Sequence, residues 1–129
     1  KSKLTLEYLL DYLNNFDAKV YLVGNAKFDN LQKMAYKIAL NSLINNQEMI
    51  TEFSKTKDKK YIFYNYEIEK LASKKKINYI DEYDFYCKND LCKLFDSDLN
   101  LFFWDDDHLT EYGSKFLGVK LFKLLQSDN

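Results

Sequence analysis

Residues 101–117 read LFFWDDDHLTEYGSKFL and carry the most informative pattern of the chain. An apolar run at 101–104 is followed by three consecutive aspartates and then by His108, the only histidine. The apolar run is typical of a buried strand end, and the residues after the histidine predict a helix over 110–125 with Thr110 as its N-cap. The pattern therefore predicts a turn that carries carboxylates and an imidazole, with a helix directly behind it.

The spacing between Asp105 and His108 indicates a particular chemistry. In a tight turn, a carboxylate three residues before a histidine can accept a hydrogen bond from the Nδ1–H of the ring, and Nε2 then stays free to take a proton. This is the division of labour between the aspartate and the histidine of a Ser-His-Asp triad. Two alternatives remain open: a metal site, although one histidine and two cysteines give no closed zinc set, and a solvated acidic turn without chemistry.

Outside this stretch, the chain alternates amphipathic helices with short apolar strands. Thr5 and Asn30 are the expected N-caps of the first two helices, and the predicted helices cover residues 4–16, 30–43, 47–54 and 61–75. The predicted buried strands cover 18–23, which ends at Gly24, and 77–81. This alternation predicts an α/β fold with a parallel sheet.

Apolar positions at helical spacing define the expected core faces. The predicted buried residues of the second helix are Leu31, Met34, Ala35 and Ile38, and those of the 61–75 helix are Ile62, Phe63, Tyr66, Leu71 and Ala72. The expected stripe of the closing helix is Gly113, Leu117, Leu121 and Leu124, widened by Phe116 and Leu125. Because Gly113 has no Cβ, it is expected to let this helix pack closely on its neighbour.

Composition restricts the class of protein. With 129 residues, 47% of them hydrophobic, the chain can form one domain at most with a real core. A net charge of −1 and the absence of arginine argue against nucleic-acid binding. No apolar run has the length of a membrane span, and no signal-peptide pattern opens the chain. Because it begins at Lys1, we expect it to be a piece of a longer protein.

Cys87 and Cys92 are the only two cysteines. Their separation is too wide for a Cys-x-x-Cys redox motif, and no further ligands for zinc lie nearby. The spacing alone allows a disulfide, if the two Cα atoms come within about 7 Å, or two free thiols.

Four motifs occur in a characteristic order: VYLVG at 20–24, INYID at 77–81, the cysteine pair, and DDDHLTEYG at 105–113. Together they resemble the SGNH (GDSL-like) hydrolase superfamily, whose last block is Asp-x-x-His. They resemble more specifically the branch in which an SGNH domain is fused to integral-membrane acyltransferases that O-acylate bacterial surface polysaccharides. The resemblance implies a three-layer α/β/α, flavodoxin-like parallel sheet, of which residues 1–129 would be the C-terminal portion only, as one partial domain.

The resemblance also implies roles for individual residues. His108 would be the general base and acid, Asp105 would orient it, and Cys87 and Cys92 would form a disulfide in an oxidising compartment. Asn25 departs from the superfamily's Gly-x-Asn-Asp block, so we expect a turn residue there, with a place in the ligand crevice as the alternative.

No nucleophile is recognisable in this chain. The superfamily carries its serine in a Gly-Asp-Ser turn after the first strand, and no serine of this chain, among them those at 2, 42, 54, 73, 97 and 114, has such a context. The nucleophile and the oxyanion donors are therefore expected upstream, and the chain by itself is expected to be inactive and to self-associate through uncovered strand edges.

The implied function of the parent protein is transfer of an acyl group, expected to be acetyl, to a hydroxyl of a cell-surface polysaccharide or lipopolysaccharide. The expected partners are an acyl donor delivered by the membrane acyltransferase domain and a glycan acceptor, and neither a cofactor nor a metal is required. The expected location is periplasmic or extracytoplasmic, tethered to the inner membrane through the upstream part. The alternatives are a carbohydrate esterase of the same superfamily and a non-catalytic glycan-binding or scaffolding domain.

Overall fold

A computed structural model describes residues 2–40 and 45–127. Its helices are α1 (Ser2–Leu13), α2 (Leu31–Ala39), α3 (Asn46–Ser54), α4 (Lys59–Lys74), α5 (Tyr83–Tyr86) and α6 (Glu111–Ser127). Its strands are β1 (Tyr21–Val23), β2 (Asn78–Ile80), β3 (Cys87–Lys88) and β4 (Leu91–Cys92). The chain divides into two compact units. The first consists of Lys1–Ala26 and Lys59–Tyr83, and the second consists of Lys27–Asp58 and Asp84–Asn129. Of the helices described, none has both the length and the apolar character needed to span a membrane.

The first unit contains a small parallel sheet of β1 and β2, which confirms the α/β character of the chain. Leu22 lies opposite Tyr79 in the register, so both side chains face the same side of the sheet. On that side they pack against a core from α1, α4 and the segment before β2, namely Leu10, Leu71, Ala72 and Ile77. The strands are shorter than predicted, and Val23, expected to be buried, is 43% exposed.

A buried asparagine organises the carboxyl end of this sheet. The Asn65 side chain, on α4, donates to the Asn25 carbonyl at 3.0 Å and to Asp81 Oδ1 at 3.1 Å, and it accepts from the Asn25 N–H at 3.2 Å. Gly24 makes this close packing feasible, because a Cβ there would overlap the Tyr79 hydroxyl and lie 3.0 Å from Asn65 Cγ. Asn25 itself is exposed in the loop after β1.

Two expectations about the helices of the first unit are wrong. Thr5 lies inside α1, which begins at Ser2, and is therefore not its N-cap. In α4, Leu71 and Ala72 are buried as predicted, but the predicted core residues Ile62, Phe63 and Tyr66 are exposed. The first turns of α4 carry apolar residues on all sides, so the spacing of these residues did not identify the buried face. That face carries the polar Asn65.

The second unit has an aromatic core in place of a regular sheet. Its buried rings belong to Phe28, Phe53, Tyr86, Phe95, Phe102 and Phe103. The antiparallel pair β3 and β4 places Cys87 opposite Cys92, with a Cα–Cα distance of 4.0 Å, and their sulfurs are joined in a disulfide. The Cys92 N–H donates to Ser54 Oγ at 2.7 Å, which attaches β4 to α3.

The caps of α2 and α3 differ from each other. Asn45 caps α3 by accepting the Glu48 N–H at 3.0 Å, so the helix begins at Asn46, one residue before its predicted start. Asn30 precedes α2 in a left-handed conformation, with φ 63°, and makes no side-chain capping bond, so the predicted cap is wrong. Leu31 and Met34 are buried as predicted, Ala35 and Ile38 are half-buried, and residues 41–43 of the predicted helix lie outside the described residues.

Thr110 begins α6 as predicted. Its Oγ1 accepts the Gly113 N–H at 3.1 Å and donates to the Leu101 carbonyl at 2.6 Å. Gly113 is buried, whereas the other stripe positions Leu117, Leu121 and Leu124 are half-buried and Leu125 is exposed. Phe116 stacks on Phe102 with ring centroids 4.4 Å apart, which brings α6 against the aromatic core.

Substitution of the two glycines of α6 should have opposite effects on stability. A Cβ at Gly113 would overlap the Phe102 carbonyl oxygen and lie 2.9 Å from Leu109 Cδ2, whereas a Cβ at Gly118 meets open space. We expect Gly113→Ala to lower the free energy of unfolding by about 1–3 kcal/mol. The matched Gly118→Ala variant should raise it by about 0.5–1 kcal/mol, because alanine favours the helix. Urea unfolding measures both, and equal stability of the two variants would contradict the close approach at Gly113.

The cysteine pair should be oxidised in protein taken from its native compartment. Alkylation without reduction, followed by mass spectrometry, should label neither Cys87 nor Cys92, while a reduced control should carry two labels. The stabilisation from so short a loop should stay below the ~3 kcal/mol expected for fifteen residues. Two labelled thiols in the unreduced sample would disprove the disulfide and remove this argument for an oxidising compartment.

Candidate active site

The turn that carries Asp105 and His108 lies in the second unit, and backbone hydrogen bonds hold the residues at both of its ends. The Phe102 N–H donates to the Leu94 carbonyl and the Phe102 carbonyl accepts the Thr110 N–H, both at 2.8 Å. Phe103 forms an isolated antiparallel bridge with Leu109, so the predicted strand end is present as single bridges and not as a regular strand. Phe102 and Phe103 are buried, whereas Trp104 is 70% exposed.

Hydrogen bonds within the turn give it its shape. The Trp104 N–H donates to the His108 carbonyl at 3.1 Å and closes the turn. Inside it, Asp105 Oδ1 accepts the N–H of Asp107 at 3.1 Å and the N–H of His108 at 2.8 Å. Aspartate side chains commonly bind backbone N–H groups a few residues ahead, so the local sequence explains this conformation.

The same carboxylate contacts the imidazole. Asp105 Oδ2 lies 2.8 Å and Oδ1 2.9 Å from His108 Nδ1. An ionised carboxylate can only accept hydrogen bonds, so this contact requires a proton on Nδ1, and in the neutral ring the lone pair is then on Nε2. The His108 side chain is 71% exposed and therefore accessible. Asp107 Oδ1 also approaches Nδ1, at 3.2 Å, but Asp105 is the closer carboxylate.

Backbone donors keep Asp105 ionised. The N–H groups of His108 and then of Asp107 hold the pKa of Asp105 below its ordinary value, and the His108 side chain adds to the effect. A lowered carboxyl pKa contributes stability above the ordinary aspartate pKa of about 3.9, and this contribution is lost as the pH falls through the lowered value. The pairing with His108 is therefore available throughout the neutral range.

An open polar pocket of about 240 Å³ adjoins the turn. Its lining residues are Lys27, Gln32, Asp105, Asp106 and Asp107. Lys27 Nζ lies 3.8 Å from Asp107 Oδ2, which brings a cation next to the carboxylates. Such a lining suits a hydroxyl-rich or charged molecule better than an apolar one.

Asp105, Asp107 and His108 could together hold a divalent cation, since they bring ligand atoms within 4.8 Å of one another. A metal would need the Nδ1 lone pair of His108, because Nδ1 is the atom that faces both carboxylates. His108 therefore cannot donate the Nδ1 proton to Asp105 and bind a metal through Nδ1 at the same time.

The structure brings Asp105 and His108 together, as their spacing predicted. Among the serines, Ser54 has a structural role, since its Oγ donates to the Ile50 carbonyl and accepts the Cys92 N–H. Lys27, Gln32 and Asp106, to which sequence reasoning gave no role in the site, also adjoin it. The signal for Asp106 was its place between Asp105 and His108, but the sequence did not reveal its contacts.

The structure therefore contains a parallel strand pair, a disulfide hairpin and a turn in which Asp105 contacts His108. The family model described as "SGNH domain (fused to AT3 domains)" matches residues 2–122, so the chain belongs to this family of domains joined to acyltransferase-3 membrane domains. The recognised motifs start at Val20, whereas the match to the family model begins at residue 2 and therefore includes α1. No curated protein matches the chain.

The protonation of the single histidine can be tested directly. Above the pH at which imidazole titrates, ¹⁵N spectra should show His108 as the Nδ1–H tautomer, because Asp105 accepts that proton. Asp105→Asn should shift it to the Nε2–H tautomer, since the amide can donate to Nδ1. Asp107→Asn should retain the Nδ1–H form. A wild-type spectrum dominated by Nε2–H would refute the pairing, and a shift in Asp107→Asn alone would identify Asp107 as the partner.

Proposed function

We propose that this chain supplies the general base of an O-acyl transfer site in a membrane-tethered parent protein. The observation that carries the proposal is the Asp105–His108 pair, with both carboxylate oxygens within 2.9 Å of Nδ1 and an exposed imidazole. Membership of a family fused to acyltransferase domains supports acyl groups as the transferred species.

The proposed reaction has two halves, and in each half Nε2 takes up one proton and then gives it away. In the first half, Nε2 takes the proton of a serine hydroxyl supplied by another segment, while the serine oxygen attacks the acyl carbonyl carbon. The imidazolium then gives that proton to the departing group of the donor. In the second half, Nε2 takes the proton of the acceptor hydroxyl, which attacks the acyl-serine, and returns it to the serine oxygen. Asp105 orients the ring and stabilises the imidazolium in both halves.

The nucleophile and the rest of the three-layer sheet belong, in this proposal, to an upstream half of the same domain. Two observations support it: β1 and β2 have only three residues each, and Val23 is 43% exposed. Parallel sheets are normally larger and covered on both faces, so a two-stranded pair calls for additional strands. Without that half the chain has a base but no nucleophile.

The proposed acceptor is a glycan hydroxyl outside the cytoplasm. The polar pocket next to the turn offers Lys27 and Gln32 to a hydroxyl-rich molecule. Trp104 directly precedes Asp105 and exposes most of its ring, which can provide an apolar surface for a sugar. The Cys87–Cys92 disulfide supports a periplasmic or extracytoplasmic location.

The proposal is tested in the full-length parent by following a labelled acyl group onto the surface polysaccharide. His108→Ala should remove transfer almost completely, because no other imidazole is present in the chain. Asp105→Asn should lower the rate by up to ~10⁴-fold, as expected when the wrong tautomer is held. Asp98→Asn, in an exposed turn, is the matched control and should transfer like the wild type.

Each alternative gives its own result in this assay. Release of free acid without labelled polysaccharide would indicate an esterase, in which water takes the place of the sugar hydroxyl. Undiminished transfer by His108→Ala would rule out catalysis at this site and favour a glycan-binding or scaffolding role. The chain alone should hydrolyse p-nitrophenyl acetate no faster than its His108→Ala variant.

A further inference from the structure

We propose that Asp106 is a positioning residue that fastens the Asp105–His108 turn to the start of α2 and so keeps the carboxylate aligned with the imidazole. The proposal takes its catalytic meaning from the proposed function, but its geometry is independent of it. Asp106 stands between the two residues of the pair and contacts a segment far away in the sequence.

Both the backbone and the side chain of Asp106 take part. Its carbonyl accepts the Phe28 N–H at 3.0 Å, and its Oδ1 accepts the Leu31 N–H at 3.3 Å. The two donors stand at either end of the segment 28–31. Two bonds from one residue to two points of the same segment restrict rotation of the turn more than either bond alone.

The segment 28–31 is itself firmly held. Phe28 is fully buried, with its ring centroid 5.4 Å from that of Phe103 and 6.1 Å from that of Tyr86. Leu31 is buried in the same unit, and the Asp29 N–H donates to the Thr56 carbonyl at 2.6 Å. A contact with this segment therefore ties the exposed turn to the aromatic core.

The start of α2 needs an acceptor of this kind. The first N–H groups of a helix have no intrahelical partners, and Asn30 makes no side-chain cap. The Asp106 carboxylate supplies the acceptor for Leu31 from 75 positions away. Its negative charge also suits the positive end of the helix dipole, so the contact is favourable for both segments.

The turn has little other support from packing. His108 and Trp104 are largely exposed, and the Lys27–Asp107 ion pair, at 3.8 Å, is the kind of surface pair that contributes little. Because Asp106 directly follows Asp105, movement of its backbone would move the orienting carboxylate. Misplacement of a catalytic group by about 1 Å can cost about 10²-fold in rate.

The test compares Asp106→Ala, which removes the side-chain acceptor, with Asp106→Asn, which keeps one. The ¹⁵N tautomer signature of His108 is measured in the chain, in solution or in sedimented protein. We expect Asp106→Asn to retain the Nδ1–H form and Asp106→Ala to show a mixture with substantial Nε2–H. In Asp106→Ala, the Leu31 amide should also exchange faster with solvent. In the parent, Asp106→Ala should lower kcat about 10-fold to 100-fold with little change in KM.

If Asp106→Ala does not fold, Asp106→Ser replaces it, because its shorter side chain cannot reach the Leu31 N–H. A folded Ala or Ser variant with the wild-type tautomer would overturn the proposal. So would an Asp106→Asn variant that folds but shifts to Nε2–H. Loss of the fold in both the Ala and the Ser variant would show that the role is structural only, which also overturns it. If Asp106→Ala shifts the tautomer but the wild-type parent shows no transfer activity, the result counts against the proposed function alone.

Discussion

The backbone of Phe102 is the constraint on which the second unit depends. Its N–H is bonded to Leu94, its carbonyl accepts the Thr110 N–H, and its ring stacks on Phe116. The same carbonyl fills the space that any side chain at Gly113 would need. The backbone of this one residue therefore fixes both the base of the Asp105–His108 turn and the distance to α6. Because the Phe102 carbonyl lies against the backbone of α6, residue 113 has to be small, while Phe116 of the same helix supplies the ring that stacks on Phe102.

The parts of the structure that the sequence predicted are those formed by residues close together in the chain. The Thr110 cap and the contact of Asp105 with His108 each join residues three positions apart. At that separation the spacing of residue types determines whether the atoms meet, so a pattern is sufficient. The mixed α/β content was predictable for the same reason, since helices and strands each have their own spacing of apolar residues.

The contacts that the sequence did not predict join residues that are far apart. Asn65 binds Asn25, Glu82 accepts the Ala26 N–H at 3.0 Å, and Asp106 accepts the Leu31 N–H. In each case a polar side chain forms a hydrogen bond with a backbone group that has no partner within its own segment. Buried backbone groups need such partners. Nothing in the local pattern distinguishes such a residue from an ordinary solvated one. The failed caps at Thr5 and Asn30 have the same origin, because capping depends on where the helix begins.

The two kinds of contact around His108 also differ in when they can form during folding. Closure of a turn of a few residues takes well under a microsecond, whereas contacts between distant segments must await a larger loss of chain entropy. The bonds from Asp105 to the backbone and to the ring belong to the first kind, and the bonds from Asp106 to Phe28 and Leu31 to the second. The imidazole therefore meets its carboxylate early, but it acquires a fixed direction only after the distant segment has arrived.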